Sequence, residues 1–143
     1  MEQPDVMALV DTLQGRLDRI AAPYVRALGL RVQSADAERV ELSMPVTAEL
    51  VHGGGVMCGQ AMLAAADTAM VVAMAASFGG EFPPMTTVQL QTSFVRPVPA
   101  DAGEVRVICR VLRRGRTLAY GDVDIRTRDG RLAAHATTTY ALL

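Results

Sequence analysis

Asp67 is the one charged side chain between His52 and Glu81. From Gly59 onward its neighbours are mostly Ala, Met, Leu and Val. That composition predicts a helix apolar nearly all round, of the kind buried in a protein core or in lipid. A carboxylate in such a setting is costly unless it has a partner or a task. Its natural chemistry is that of a base or a nucleophile. Two other reactive side chains stand just upstream. His52 opens the loop His52-Gly53-Gly54-Gly55, where an imidazole could hydrogen-bond a carbonyl or a water or could simply face solvent. Cys58 precedes the helix, where a thiol could attack an electrophile or could be a small packed residue. The three glycines read as a lid or as a flexible connection. Arg113-Arg114-Gly115-Arg116 is a basic turn, and no aromatic residues accompany it as a nucleic-acid surface would require.

These residues sit in a chain of 143 residues and 15.2 kDa, the size of one domain. It divides into an N-terminal helical extension, 1–24, and a core, 25–143. Half of the residues are hydrophobic but only 4% are aromatic. The core therefore lacks large anchors, which suits a fold that also buries surface between subunits. A net charge of −1 and a pI near 6.1 give no general attraction for nucleic acid. Cys58 and Cys109 make no disulfide framework and have no zinc-type spacing with His52 or His135. The expectation is a reduced, cytoplasmic protein without metal or cofactor. The opening MEQPD lacks the basic-then-apolar pattern of a secretory leader. Ala61–Phe78 approaches the length of a membrane span, but the central Asp67 and the missing basic flanks favour a soluble core helix.

Val6, Leu9, Val10, Leu13, Leu17 and Ile20 recur at helical spacing, predicting an amphipathic helix from about Asp5 to Ala22 that Pro23 closes. Short strands follow near 28–34 and 39–44, and then a loop over 45–57. The central helix spans 59–77 and ends at Gly79-Gly80. Beyond Pro83-Pro84 the period becomes 2, with Val88, Leu90, Thr92 and Phe94 alternating against Thr87, Gln89, Gln91 and Ser93. Runs around 105–111, 119–125 and 131–142 continue this pattern, and Asp129-Gly130 is a two-residue hairpin signal. His135 lies in the last run and reads as structural. Met57, Met62, Met70 and Met74 read as adaptable packing. The order is helix, two strands, buried helix, four strands. An α+β fold follows, an antiparallel sheet of about six strands wrapped around one long helix, with an extra N-terminal helix.

AAADTAM on the central helix, TTVQLQTSFVRPV on the next strand, RVLRRGRTLAYGDVDI and DGRLAAHATTTY together resemble the hotdog-fold thioesterases of the PaaI-like, phenylacetate-pathway group. The resemblance covers about residues 28–143. It implies acyl-CoA thioesters as substrates, hydrolysis as the reaction, CoA present only as part of the substrate, and a homodimer or homotetramer. The usual pattern of the group is Asn, then His-Gly-Gly six residues on, then an acid nine residues after the His. Aligned without gaps, Asp67 takes the acid's place, Gly59 the first glycine's, Gln60 the second's, Cys58 the histidine's and His52 the asparagine's. A rearranged loop would instead let His52 serve as the usual histidine.

Thioester hydrolysis needs donors at the carbonyl oxygen and a carboxylate that attacks or activates water. The resemblance thus implies Asp67 as base or nucleophile, partly desolvated by Leu63, Met70 and Val71. The amides of Gly59 and Gln60 at the helix start would form the oxyanion hole, with His52 and Cys58 beside them. Gln91 and Ser93 would line the acyl pocket, with Gly54 in the loop above it. Arg113, Arg114 and Arg116 would meet the CoA phosphates, with Arg96 and Arg110 as lesser candidates. Gly59 and Asp67 stand about 12 Å apart along one helix at about 1.5 Å per residue. One thioester carbon cannot touch both, so the site would lie between two subunits. Two other readings use the same residues: a hotdog dehydratase or hydratase with His52 and Asp67 as an acid–base pair, and an acyl-CoA binder without catalysis.

Overall fold

In the computed structural model the described residues are 3–143, with side chains from Val6 onward. Met1 and Glu2, which carry part of the leader argument, lie outside them. The elements are α1 (Gln3–Ile20), α2 (Pro23–Arg26), β1 (Arg31–Ala35), β2 (Arg39–Pro45), a 3-10 turn (Ala48–Leu50), α3 (Gly59–Ser77), β3 (Met85–Phe94), β4 (Glu104–Arg114), β5 (Leu118–Thr127) and β6 (Leu132–Leu142). The six strands form one antiparallel sheet in the order β1-β2-β4-β5-β6-β3. The sheet curls around α3, which is the hotdog arrangement. β1 and β3 are its free edges.

Alternation in the strands explains the two-faced sheet. On β4, Val105, Val107 and Cys109 face α3 and are fully buried, while Arg106, Ile108 and Arg110 face away. α3 lies close on the sheet because its inner positions are small: Ala61, Ala65, Ala66, Ala69 and Ala73 are all at most 1% exposed. Closest approach falls at Gly121, where a Cβ would come within 2.6 Å of the Arg110 carbonyl and 2.8 Å of the Met70 sulfur. At its far end α3 closes with a Schellman motif. Gly80 donates to Ala75 O at 2.8 Å and Gly79 to Ala76 O at 3.1 Å, with both glycines at positive φ. α3 is long and apolar enough to cross a membrane, yet two-thirds of it is buried inside this fold.

α1 packs on β1 through Gln14, which accepts from Val32 N at 2.7 Å and donates to Leu30 O at 3.2 Å. Three expectations change. The four-residue α2 was not legible in the period. The 45–57 segment is more ordered than a loop, since Val51 bridges Met57 and Val56 bridges Pro99. β3 begins at Met85 rather than Thr87, with a register shift between Thr87 and Gln89. That bulge turns Thr87 inward and leaves Val88 60% exposed.

Candidate functional site

Asp67 has two partners. Its Oδ1 accepts from Tyr140 OH at 2.5 Å and from Thr87 Oγ1 at 2.9 Å, and its backbone carbonyl lies 3.0 Å from the same phenol. Burial and the bond to Asp67 push the Tyr140 phenol far up from its usual range, so it stays protonated and donates. Among the described residues Oδ2 accepts no hydrogen bond. One oxygen is therefore held and the other is left for a ligand. Neither Tyr140 nor Thr87 figured as a site residue in the sequence reading. Thr87 was hidden by the bulge, and Tyr140 is 73 residues away from Asp67.

The sheet does not cover α3 completely. Gln60 is exposed and Leu63, Ala64, Asp67 and Val71 are half-buried. Their spacing puts them on one helical stripe, beside the free edge of β3. Leu63 and Val71 flank the carboxylate there as expected. Met70 does not, because its sulfur packs into the core against Cys109 Sγ at 3.7 Å.

At the start of α3, Cys58 is the N-cap residue and makes no side-chain capping bond. The amides of the first turn, including those of Gly59 and Gln60, have no intrahelical acceptor. Gly59 borders a groove of about 300 Å³ lined also by Val56, Met57, Met62, Phe94, Val95, Arg96 and Pro97. The Phe94 ring lies against Gly59, 3.3 Å from where a Cβ would stand. The groove is apolar, with helix amides at one end, which is a place for a carbonyl oxygen whose substituent is greasy.

His52 lies elsewhere. Leu50 faces Cys58 (Cys58 N to Leu50 O, 2.7 Å) and Val51 faces Met57, so His52 is one step further from α3, at an exposed turn. Its Nδ1 accepts from Gly54 N at 2.8 Å. In the neutral ring the proton then sits on Nε2, which makes His52 a potential donor rather than a base. The glycines do not form an open lid: Gly55 N donates to His52 O and His52 N to Val56 O, closing the turn. Cys58 thus stands immediately before the helix amides, and His52 does not.

Gln91 and Ser93 pair with Thr137 and His135 on the sheet face turned away from α3, opposite to Asp67. Within one chain they share no space with the carboxylate. That outer face carries a charged ladder. Arg110 binds Asp122 through two bonds of 3.1 and 2.8 Å, and His135 Nδ1 meets Asp124 at 2.7 Å, with Arg126 on its other oxygen at 2.9 Å. Burial opposes ionisation of Asp124, but the bonds from His135 and Arg126 hold its carboxyl below the ordinary range. His135 is thus held by Asp124 on the strand where its alternation placed it, and Arg110 pairs with Asp122.

Arg114 is tied to α3 through one nitrogen of its guanidinium. Its Nη1 donates to Ser77 O at 2.7 Å, and its guanidinium lies 4.1 Å from the Phe78 ring centroid. It ties the β4–β5 hairpin to the C-terminal end of α3, about 27 Å from Gly59 for a helix of this length. Arg113 and Arg116 are on the same hairpin, exposed.

The sequence matches the Thioesterase superfamily over residues 50–134. A conserved protein of Pseudomonas aeruginosa is 32% identical, with 88% of this chain and 98% of that one covered and a TM-score of 0.78. A mutant form of the phenylacetic acid degradation protein PaaI from Thermus thermophilus is 25% identical over 85% of this chain and all of its own, with a TM-score of 0.74. Zebra fish thioesterase superfamily member 2 shares the fold, with a TM-score of 0.81 over 96% of this chain and 98% of that one, at 23% identity.

Proposed function

Because this chain belongs to the Thioesterase superfamily, we propose that it is an acyl-CoA thioesterase acting on a medium-chain or aryl-acyl CoA thioester. The observation that carries this reading is Asp67, an acid with one oxygen pinned by Tyr140 and Thr87 and the other unpartnered, on the uncovered stripe of an otherwise buried helix. Oδ2 removes a proton from water as the water adds to the thioester carbon, or attacks that carbon itself. The carbonyl oxygen takes up charge against the helix amides of Gly59 and Gln60. The C–S bond then breaks and the thiolate takes the proton that Asp67 holds, releasing the acid; where Oδ2 attacks directly, the thiolate leaves first and water then splits the acyl–Asp67 anhydride, freeing the acid and supplying the proton. Cys58 fills the space beside the amides and His52 plays no part within the same chain.

The 12 Å gap between Gly59 and Asp67 makes the working unit a homodimer, with each site built from one subunit's carboxylate and the other's helix start. Two features support that assembly. β3 is a ten-residue edge strand without a single charge or proline, MTTVQLQTSF, a template for pairing with a second strand. Val88, Phe94 and Val95 are 60, 48 and 57% exposed along it, next to the uncovered stripe of α3. Both cysteines are free thiols, which fits a reducing, cytoplasmic setting.

The test is thiol release from a panel of aliphatic and aromatic acyl-CoAs, with wild type beside Asp67→Asn. The variant should lose at least about a hundredfold in kcat, the scale for removing a positioned base. Equal inertness of both, with CoA esters still raising the melting temperature, would replace hydrolysis by binding. A change in enoyl absorbance without thiol release would replace it by hydration or dehydration.

A further inference from the structure

We infer that the phosphate-bearing end of the substrate docks in the cleft between the β5–β6 hairpin and the segment after β3, with Arg96, Arg128 and Arg131 as its anion contacts. The inference rests on the acyl-CoA reading above and moves the phosphate site away from Arg113–Arg116. The cleft has a volume of about 470 Å³, and those three arginines line it against one carboxylate, Asp129. It is contiguous with the groove at the start of α3, for Val56, Arg96 and Pro97 line both. A thioester whose carbonyl rests on the amides of Gly59 and Gln60 therefore reaches three guanidiniums without leaving the surface.

The arginines are placed but not used up. Arg96 is anchored by one bond from Nη1 to Leu132 O, 2.7 Å, and a guanidinium has five N–H donors in all. Arg128 lies over Gly103, where a Cβ would stand 2.8 Å from the guanidinium carbon, so a side chain there would evict it. Among the described residues its ionic partner is Glu104 at 3.4 Å, and Arg131 pairs with Asp129 at 3.2 Å; both arginine side chains are about two-thirds exposed. Exposed pairs of this kind contribute little to stability, so a phosphate group displaces them readily. CoA ends in an adenosine bearing a 3′-phosphate and a 5′-diphosphate. Arginines on a hairpin suit those oxygens through paired, charge-assisted hydrogen bonds, and the flat rings of Pro97 and Pro99 in the cleft wall offer the base an apolar surface. The turn at Arg113–Arg116 lies at the opposite end of β5, about 30 Å away for a strand of this length, where Arg114 is already bound to α3.

Adenosine 3′,5′-bisphosphate titrated by calorimetry tests the site without any turnover. Wild type should bind it, and Arg128→Ala/Arg131→Ala should bind at least about tenfold more weakly, as expected for losing two charge-assisted contacts. Failure of wild type to bind, unchanged binding in that variant, or loss instead in Arg113→Ala/Arg116→Ala would each overturn the assignment. A conservative pair, Arg128→Gln/Arg131→Gln, repeats the measurement should the alanine variant melt early. In the thiol-release assay the same change should raise KM for an acyl-CoA about tenfold and leave kcat alone, and it should leave KM unchanged for the same acyl group on pantetheine, which lacks the nucleotide. Equal effects on both thioesters would overturn it. Inertness toward both thioesters, with bisphosphate binding intact, would sink the hydrolase reading and leave the nucleotide site standing.

Discussion

Tyr140 presents one proton to two oxygens of Asp67, and Thr87 supplies a second donor to the carboxylate. Hydrogen bonds to charged groups contribute about 1.5–3 kcal/mol. Tyr140→Phe should therefore lower kcat about tenfold or more while KM changes little, because the loss falls on the orientation of the acid. The phenol also has a signature in stability. The folded protein keeps its proton while the unfolded chain gives it up near the ordinary tyrosine value of about 10, so the native state binds more protons and stability falls as pH rises beyond that point. All 14 basic residues are arginines, so no lysine titration overlaps this range. Melting temperatures measured from pH 8 upward should fall above about pH 10 in wild type and less steeply in Tyr140→Phe; part of the fall remains, since burial also pushes the Cys109 thiol up. The acid was legible in the sequence because a lone Asp in an apolar run is conspicuous. Its holders were not. Strict alternation puts Thr87 on the same face as Gln91 and Ser93, and the bulge after it reverses that, while nothing local in ATTTY shows that Tyr140 points at α3.

At the level of elements, α3 was legible to its end residues, because it is bounded by a glycine-rich entry and a Gly-Gly exit and is long and uniform between them. The strands were legible as alternating runs, but β4 and β5 came out short, since both extend beyond their buried stretches, and β1 came out early, since it starts at Arg31 rather than at 28. The basic turn was legible as a turn, whereas its use was not: Arg114 closes the end of α3, a contact 37 residues apart in sequence. The fit of helix on sheet depends on one position. Gly121→Ala would push a methyl against the Arg110 carbonyl, which cannot move without breaking the β4–β5 ladder, and against Met70. Overpacking of this sort costs about 1–3 kcal/mol, so its midpoint in urea should drop with an unchanged slope. A midpoint equal to that of wild type would mean that α3 can lift off the sheet at no cost.

For the whole molecule, the apolar composition with few aromatics pointed to burial between subunits, and the bare edge of β3 next to an uncovered strip of α3 gives that expectation a location. Val88→Lys, at an exposed bulge position of the edge strand outside the groove at the start of α3, should convert a species of at least twice 15.2 kDa into monomer in sedimentation. It should abolish thiol release with it. A monomer that retains wild-type kcat would show that one chain suffices. The uncovered strip has one more consequence. The face that leaves Oδ2 reachable is also the face that a lone chain leaves wet, so in the homodimer proposed above folding, assembly and catalysis would draw on the same surface and obey one mass-action law. Such an enzyme would be governed by its own abundance: diluted below its dimer dissociation constant it would go silent without any inhibitor, and concentrated above it would switch on without any activator.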